Sequence, residues 1–161
     1  LMSNLGLELA LKELDIPFVR TKVGDRYVVE KLKETGWRIG GETSGHILNL
    51  DYAFTGDAII AALQILTVVV KSEYPLHELK SGMTKLPQCM VNVRHSDLDT
   101  VLDLDVVKDE VSRVEESLGK DGRLVLRKSG TEPLIRVMIE AKNGETAVAL
   151  ANSLSEVIRA N

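Results

Sequence analysis

The sequence predicts an α/β domain with a mixed, largely parallel sheet, followed by a small α+β domain. Helical and extended patterns alternate through residues 1–73, as they do in sheets that are built from βαβ units. Proline and glycine then punctuate a short polar segment, residues 74–87, where we expect a hinge between two domains. Residues 88–161 have the pattern of strands flanked by helices, which is typical of a compact α+β unit.

The first domain begins with a mostly apolar helix over residues 5–14, where leucines recur along the pattern. Pro17 blocks its continuation, and a short strand is expected over residues 16–23. An amphipathic helix over residues 25–35 stops at Gly36, since glycine readily adopts the left-handed conformation that ends helices. The remaining predicted elements are short strands over residues 37–40 and 47–50 and a long helix that ends near residue 71.

Residues 58–70 form the longest apolar stretch, which Gln64 and Thr67 interrupt. The stretch is shorter than the roughly 20 residues that span a bilayer. We therefore expect a buried helix that forms the core of the first domain, and no membrane association.

The second domain is predicted to contain three strands and two helices, because periods of two and of about four alternate along it. The predicted elements are a strand over residues 88–94, a helix over 106–118, strands over 123–127 and 134–141, and a closing helix over 145–159.

Composition narrows the classes of partner. The 161 residues carry a net charge of −4, which disfavours nucleic acid, since its binding normally needs a basic face. Cys89 is the only cysteine, so no intrachain disulfide is possible, and this fits a reducing cytoplasm. His77 and His95 have no acidic or cysteine neighbours at ligand spacing, and we expect no metal site in this chain.

The first loop that carries chemistry is residues 40–46, with the sequence GGETSGH. Its three glycines allow the backbone to turn sharply and to approach a ligand closely. Glu42, Ser44 and His46 could bind several sugar hydroxyls between them. A plain polar turn between two strands has a similar composition, so the residue types alone leave both interpretations open.

A stronger signal lies in residues 127–133, with the sequence RKSGTEP, and in the nearby Arg136. A turn that contains two hydroxyls and a central glycine offers hydrogen-bond donors to an anion. Arginine binds phosphate oxygens through two parallel hydrogen bonds. Arg127 and Arg136 on adjoining strands would therefore form a phosphate clamp, with a solvated surface turn as the alternative.

A third loop, residues 22–26, joins the predicted strand to the amphipathic helix. Gly24 allows a tight turn there, and Lys22 and Arg26 could face a ligand at the edge of the sheet. A capped helix start with solvated charges is the simpler interpretation of the same residues.

Together, these loops resemble those of the α-D-phosphohexomutase superfamily. Its third domain carries a sugar-binding loop of the form Gly-Glu-x-Ser-Gly-His, which residues 41–46 match. Its fourth domain carries a phosphate-binding loop of the form Arg-x-Ser-Gly-Thr-Glu-Pro, which residues 127–133 match. Residues 23–28, 86–93 and 132–138 are similar to the bacterial branch that acts on glucosamine phosphates.

This resemblance implies interconversion of glucosamine 6-phosphate and glucosamine 1-phosphate for the synthesis of UDP-N-acetylglucosamine, a peptidoglycan precursor. It implies that Glu42, Ser44, His46 and Arg26 bind the sugar, with His46 as a possible acid or base assistant. The residues that it assigns to the non-reacting phosphate are Arg127, Ser129, Gly130, Thr131 and Arg136.

The superfamily's catalytic phosphoserine and its magnesium loop belong to the first two of four domains, and neither pattern occurs in this chain. Ser44 and Ser129 lie in binding loops and do not correspond to that serine. We therefore expect a C-terminal fragment that is inactive alone. Its partners would be the phosphosugar and the N-terminal domains, and the whole enzyme would use Mg²⁺ and a sugar bisphosphate intermediate. The alternatives are specificity for mannose or glucose phosphates, or a free-standing phosphosugar-binding module.

Overall fold

The computed structural model describes all 161 residues and divides them into two compact units, Leu1–Thr84 and Lys85–Asn161. The boundary falls inside the segment that the sequence predicts as a hinge, residues 74–87. The function of this segment as a hinge stays a prediction.

The first unit contains helices and one small sheet. Its elements are α1 (Leu5–Glu13), α2 (Asp25–Thr35), β1 (Ile39–Gly41), β2 (Ile47–Asn49), α3 (Ala58–Ser72), α4 (Leu76–Leu79) and a 3₁₀ turn (Lys80–Gly82). The side chain of Asn4 caps α1 by accepting a hydrogen bond from the N–H of Gly6. Gly36 ends α2 with a φ of 73°, a left-handed conformation that favours glycine. The boundaries of α2 are those that the sequence predicts.

The predicted largely parallel sheet is not found. β1 and β2 are antiparallel neighbours, and Gly41 is the register partner of Ile47. The short loop between them suits a hairpin, whereas a parallel pair requires a crossover of a dozen or more residues. Residues 16–23 belong to neither sheet, so the strand predicted there is also absent. An apolar pattern can favour extended backbone, but a strand also needs a hydrogen-bonding neighbour.

The expectation that α3 forms the core of the first unit is wrong. The buried cluster of this unit consists of Val28, Leu32 and Leu48, whereas Ala61 is the only buried residue of α3. The sheet next to α3 has two strands of three residues each, which is too little surface to cover a helix of 15 residues. The exposed large apolar residues of α3 are Ile59, Leu63, Ile65, Leu66, Val68 and Val70.

No single helix has both the length and the apolar composition that crossing a membrane requires. The helical segments Ala58–Ser72 and Leu76–Gly82 meet that criterion only as a pair, and a bend of 101° separates them.

The second unit has an antiparallel sheet of three strands. Its elements are β3 (Gln88–Arg94), α5 (Thr100–Asp103), α6 (Asp105–Leu118), β4 (Gly122–Lys128), β5 (Leu134–Ala141) and α7 (Gly144–Ala160). The strands lie in the order β3-β5-β4. The predicted strands and the two long helices are all present, with changes of one residue at some ends. The short helix α5 was not predicted.

One face of this sheet belongs to the core of the second unit. Val93, Val137 and Ile139 on the strands are fully buried in one cluster with Leu154 and Ile158 of α7. Because side chains alternate across a strand, Arg136 and Glu140 of β5 lie on the opposite face. This alternation places most charged side chains of the sheet together on that face, whereas Lys128, the register partner of Ile135, lies on the other.

Candidate functional site

The glycine-rich loop of residues 41–46 is a hairpin loop with a fixed backbone. The N–H of Glu42 donates to the carbonyl of His46 at 2.9 Å, and the N–H of Gly45 donates to the carbonyl of Glu42 at 3.1 Å. Gly45 has a φ of 92°, which residues with a side chain rarely adopt. The loop therefore holds its polar side chains on a preformed turn.

Glu42 connects this loop to the loop before α2. One oxygen of its carboxylate accepts a hydrogen bond from the N–H of Gly24 at 2.8 Å. The two loops line one cleft of about 310 Å³, to which Lys22 and Ser44 also contribute. The structure thus brings together two of the predicted sugar-binding residues, Glu42 and Ser44, with a lysine beside them.

Arg26 does not join this cleft. Its Nε donates to the carboxylate of Glu30 at 3.0 Å, one helical turn further along α2, and its guanidinium lies 5.4 Å from the ring centre of Tyr27. The predicted role of Arg26 in sugar binding therefore lacks support from this geometry. Lys22, which lines the cleft, is the cation that the structure places near Glu42.

His46 lies at the end of the loop and is exposed. Its imidazole is next to Gly56, in the segment that precedes α3. Sequence reasoning missed Gly56, because no local pattern shows that a glycine ten positions away will lie against this ring.

The predicted arginine clamp has the expected backbone geometry. Arg127 on β4 and Arg136 on β5 are direct register partners, so their side chains leave the sheet on the same face. The Cβ atoms of directly opposite residues are about 4.5–5.5 Å apart, and like charges in such a pair are destabilising. The prediction that these arginines lie on neighbouring strands is confirmed.

Both arginines have a buried nitrogen without a partner. The Nε atoms of Arg127 and Arg136 are buried and make no hydrogen bond, although buried donors are normally satisfied. The carboxylate of Glu132 lies 3.9 Å from Nη2 of Arg136, which is beyond hydrogen-bond distance. The pair therefore combines like charges with unsatisfied donors, as an anion-binding site does before its ligand arrives.

The loop between the two strands is closed by backbone hydrogen bonds and presents its tip to solvent. The N–H of Ser129 donates to the carbonyl of Leu134 at 2.9 Å. Gly130 and Thr131 are exposed, and a Cβ on Gly130 would meet no atom within 4 Å. The space beside this turn is open, so an anion can approach the loop directly.

Arg94 is a further basic residue that sequence reasoning did not assign to this site. It ends β3 opposite Leu134, which makes it a diagonal neighbour of Arg136 on the same face. The N–H of His95 donates to the carbonyl of Pro133 at 3.4 Å, so this end of β3 adjoins the loop. The register between β3 and β5 reveals this proximity, and the sequence alone does not contain it.

No group of three or more His, Cys, Asp or Glu side chains could hold a metal ion. We assign no residue of this chain to a metal.

Comparison with known protein families gives two matches in the order of the two units. The description "Phosphoglucomutase/phosphomannomutase, alpha/beta/alpha domain III" matches residues 1–86. The description "Phosphoglucomutase/phosphomannomutase, C-terminal domain" matches residues 90–157.

Curated relatives are similar along nearly the whole chain. Phosphoglucosamine mutase 2 of Shewanella baltica is 58% identical over 99% of this chain, which is 36% of that relative. The phosphoglucosamine mutase of Proteus mirabilis is 55% identical, again over 99% of this chain and 36% of its own length. The chain thus spans about a third of the length of the relatives that it matches.

Solved structures share the fold at low sequence identity. An N-acetylphosphoglucosamine mutase of Aspergillus fumigatus has a TM-score of 0.81 at 20% identity, covering 99% of this chain and 37% of its own. Another structure of the A. fumigatus enzyme, in complex with GlcNAc-6P and magnesium, has a TM-score of 0.77 at 20% identity, covering 98% of this chain and 40% of its own. Because the first of the two family matches alone covers more than half of the residues, the chain belongs to the phosphoglucomutase/phosphomannomutase family.

Proposed function

We propose that this chain is the sugar-binding and phosphate-binding part of a phosphoglucosamine mutase. The whole enzyme would interconvert glucosamine 6-phosphate and glucosamine 1-phosphate in the cytoplasm, in the supply of UDP-N-acetylglucosamine. The identity of 55–58% to curated phosphoglucosamine mutases supports the choice of sugar. The observation that carries the phosphate-binding role is the opposed arginine pair with two buried, unpaired Nε atoms.

The phosphate site would bind the phosphate that does not react. Arg127 and Arg136 supply charge-assisted hydrogen bonds, and a bound dianion removes their mutual repulsion. Ser129, Gly130 and Thr131 add hydroxyl and backbone donors from the turn. Phosphoryl transfer depends mainly on positioning and on stabilisation of charge, so binding energy from this remote phosphate serves to align the reacting end.

The glycine-rich loop would bind the sugar. Glu42 and Ser44 line the cleft and would accept and donate hydrogen bonds to ring hydroxyls. His46 would lie beside the reacting oxygen and assist proton transfer. Glu42 has a second task, since its bond to the N–H of Gly24 ties two loops together.

The phosphoserine and the magnesium ion would come from residues outside this chain. Two observations support this part of the proposal. No cluster of metal-ligating side chains is present, and almost two thirds of the length of each curated relative lies outside the match. The exposed apolar residues of α3 would be covered by that additional sequence, because contiguous apolar surface of this kind usually belongs to an interface.

Kinetics on the full-length polypeptide test the proposal. We expect turnover of glucosamine 1-phosphate with a kcat/KM above those for mannose and glucose 1-phosphates, and no turnover by the 161-residue chain. Higher kcat/KM for another sugar would replace the assigned specificity. A full-length polypeptide without a phosphorylatable serine and without turnover would favour a non-catalytic phosphosugar-binding module. Turnover by the 161-residue chain alone would contradict the assignment of the serine and magnesium to other domains.

A further inference from the structure

The contact between His46 and Gly56 indicates a role for a residue outside both binding loops. A Cβ at position 56 would lie 2.2 Å from Cδ2, 2.8 Å from Nε2 and 3.2 Å from Cγ of His46. Carbon atoms in favourable contact are about 3.5–4.0 Å apart. Any side chain at this position would therefore occupy space that the imidazole now fills.

Backbone conformation does not explain why position 56 is a glycine. The glycines with a positive φ are Gly24, Gly36, Gly45 and Gly119. Gly56 is not among them, so its backbone is one that residues with a side chain can adopt. The three nearest atoms to its absent Cβ all belong to His46, so the imidazole is the group that a side chain here would displace.

The backbone on both sides of this contact is fixed. Asp57 caps α3, and its Oδ1 accepts hydrogen bonds from the N–H groups of Ile59 and Ile60 at 2.9 Å each. The carbonyl of His46 accepts from Glu42 at 2.9 Å. Since neither backbone can move away easily, a larger residue at position 56 would displace the side chain of His46 by rotation.

We propose that Gly56 is a positioning residue for His46: the missing side chain leaves free the space that the imidazole occupies, and this holds the ring where it can act on the sugar. The catalytic consequence rests on the proposed function, whereas the steric relation rests on the contact alone. An exposed imidazole rotates at little cost to folding, so a substitution here is expected to change the site more than the stability.

The test uses Gly56→Ala with Gly82→Ala as the matched control, because a Cβ on Gly82 meets no atom within 4 Å. In the 161-residue chain, we expect Gly56→Ala to shift the NMR signals of the His46 ring and to leave thermal unfolding nearly unchanged. Gly82→Ala is expected to leave those signals in place. In the full-length enzyme, a displacement of about 1 Å can lower rates about a hundredfold. We expect kcat to fall by about ten- to a hundredfold with KM nearly constant.

A double-mutant cycle with His46→Ala separates positioning from other effects. Once the imidazole is removed, Gly56→Ala is expected to cause little additional loss of kcat. An equal loss in both backgrounds would overturn the proposal, and so would unshifted His46 signals in the single variant. If the full-length enzyme shows no mutase activity, the proposed function fails, while the ring signals still decide the steric relation.

Discussion

On the charged face of the C-terminal sheet, two arginines of β4 face different residues of β5: Arg123 faces a glutamate and Arg127 faces another arginine. In the Arg123–Glu140 pair, Nε and Nη2 of the arginine lie 3.1 and 3.0 Å from the carboxylate of the glutamate. Arg127 is the register partner of Arg136, and the Nε atom of each has no partner. The charge of Arg123 is neutralised by a hydrogen-bonded carboxylate within the protein. Two facing arginines whose Nε atoms lack hydrogen-bond partners, with a carboxylate no nearer than 3.9 Å, indicate instead that a ligand supplies further negative charge.

The largest effect on stability is expected from breaking the Arg123–Glu140 ion pair. Glu140 is fully buried, so Glu140→Ala leaves the guanidinium of Arg123 without its carboxylate. Removing one partner of a buried ion pair typically costs about 3–5 kcal/mol. We expect a loss of this size in the free energy of unfolding of the second unit, measured by urea titration.

The measurement has to report on the second unit alone. Trp37, the only tryptophan, lies in the first unit, so the amide NMR signals of β5 are the suitable probe. Glu156→Ala is the control, since Glu156 is exposed on α7. A loss no greater than that of the control would show that the ion pair does not stabilise this unit.

In the Arg127–Arg136 pair, a substitution is expected to weaken ligand binding and not to lower stability. Arg127→Met removes a phosphate ligand, and hydrogen bonds to charged groups contribute about 1.5–3 kcal/mol each. The dissociation constant for inorganic phosphate or glucosamine 6-phosphate should rise about ten- to a hundredfold. Stability without ligand should stay the same or increase, because one of two opposed positive charges is gone.

Titration calorimetry measures the affinity, and Arg159→Met on the exposed end of α7 controls for the change in net charge. The two variants should also differ in phosphate solution. Saturating phosphate stabilises only a protein that binds it, so it should raise the stability of Glu140→Ala more than that of Arg127→Met. If Arg127→Met binds phosphate as tightly as the control, the arginine pair is not the phosphate site. If it unfolds as easily as Glu140→Ala, the distinction between the two pairs is lost.

The second unit was predicted more accurately than the first, and the reason is physical. β5 is buried on both faces along most of its length, and α7 packs its apolar positions on the sheet. Local pattern and final packing therefore agree. In the first unit, α3 has an apolar sequence but stays largely exposed, because apolar composition shows that a helix needs a partner and not whether one lies within reach.

The candidate site was predictable where residues are neighbours in sequence. The loops that contain Glu42 and Ser129 follow from their motifs. The pairing of Arg127 with Arg136 follows from a hairpin, but the proximity of Arg94 depends on register between strands 40 positions apart. The hydrogen bond from Gly24 to Glu42 and the contact of Gly56 with His46 are tertiary, so no local pattern could contain them.

A smaller effect is expected at Glu42, whose carboxylate accepts one hydrogen bond from the backbone N–H of Gly24. In Glu42→Gln, the amide oxygen still accepts from Gly24, but the hydrogen bond loses its charge assistance. The difference is about 1 kcal/mol, so we expect about a fivefold weaker affinity for glucosamine 6-phosphate in the full-length enzyme. Affinity for inorganic phosphate should not change, and an equal loss for both ligands would contradict separate roles for the two loops.

The smallest effect is expected at Asp97, whose carboxylate accepts hydrogen bonds within its own turn, near the phosphate-binding loop. Its carboxylate accepts hydrogen bonds from the hydroxyl of Thr100 at 2.6 Å and from the N–H of Thr100 at 3.0 Å. These bonds, the hydroxyl first, lower the pKa of Asp97 below its usual value. A lowered pKa in the folded state means that the ionised carboxylate adds stability above the unfolded pKa, near 3.9.

That stability declines as the pH falls from the unfolded pKa through the lower folded pKa, so Asp97→Asn should matter fully above about pH 4 and become neutral only below the folded pKa. The carboxylate is exposed, and asparagine is itself a good helix cap, so the difference at neutral pH should be small. Urea unfolding of the second unit between about pH 2 and 6 measures the difference between wild type and variant. A difference that stays constant across this range would show that the charge of Asp97 contributes nothing. Phosphate affinity at neutral pH should be unchanged in the variant, because Asp97 makes these hydrogen bonds within its own turn and not with Arg127 or Arg136.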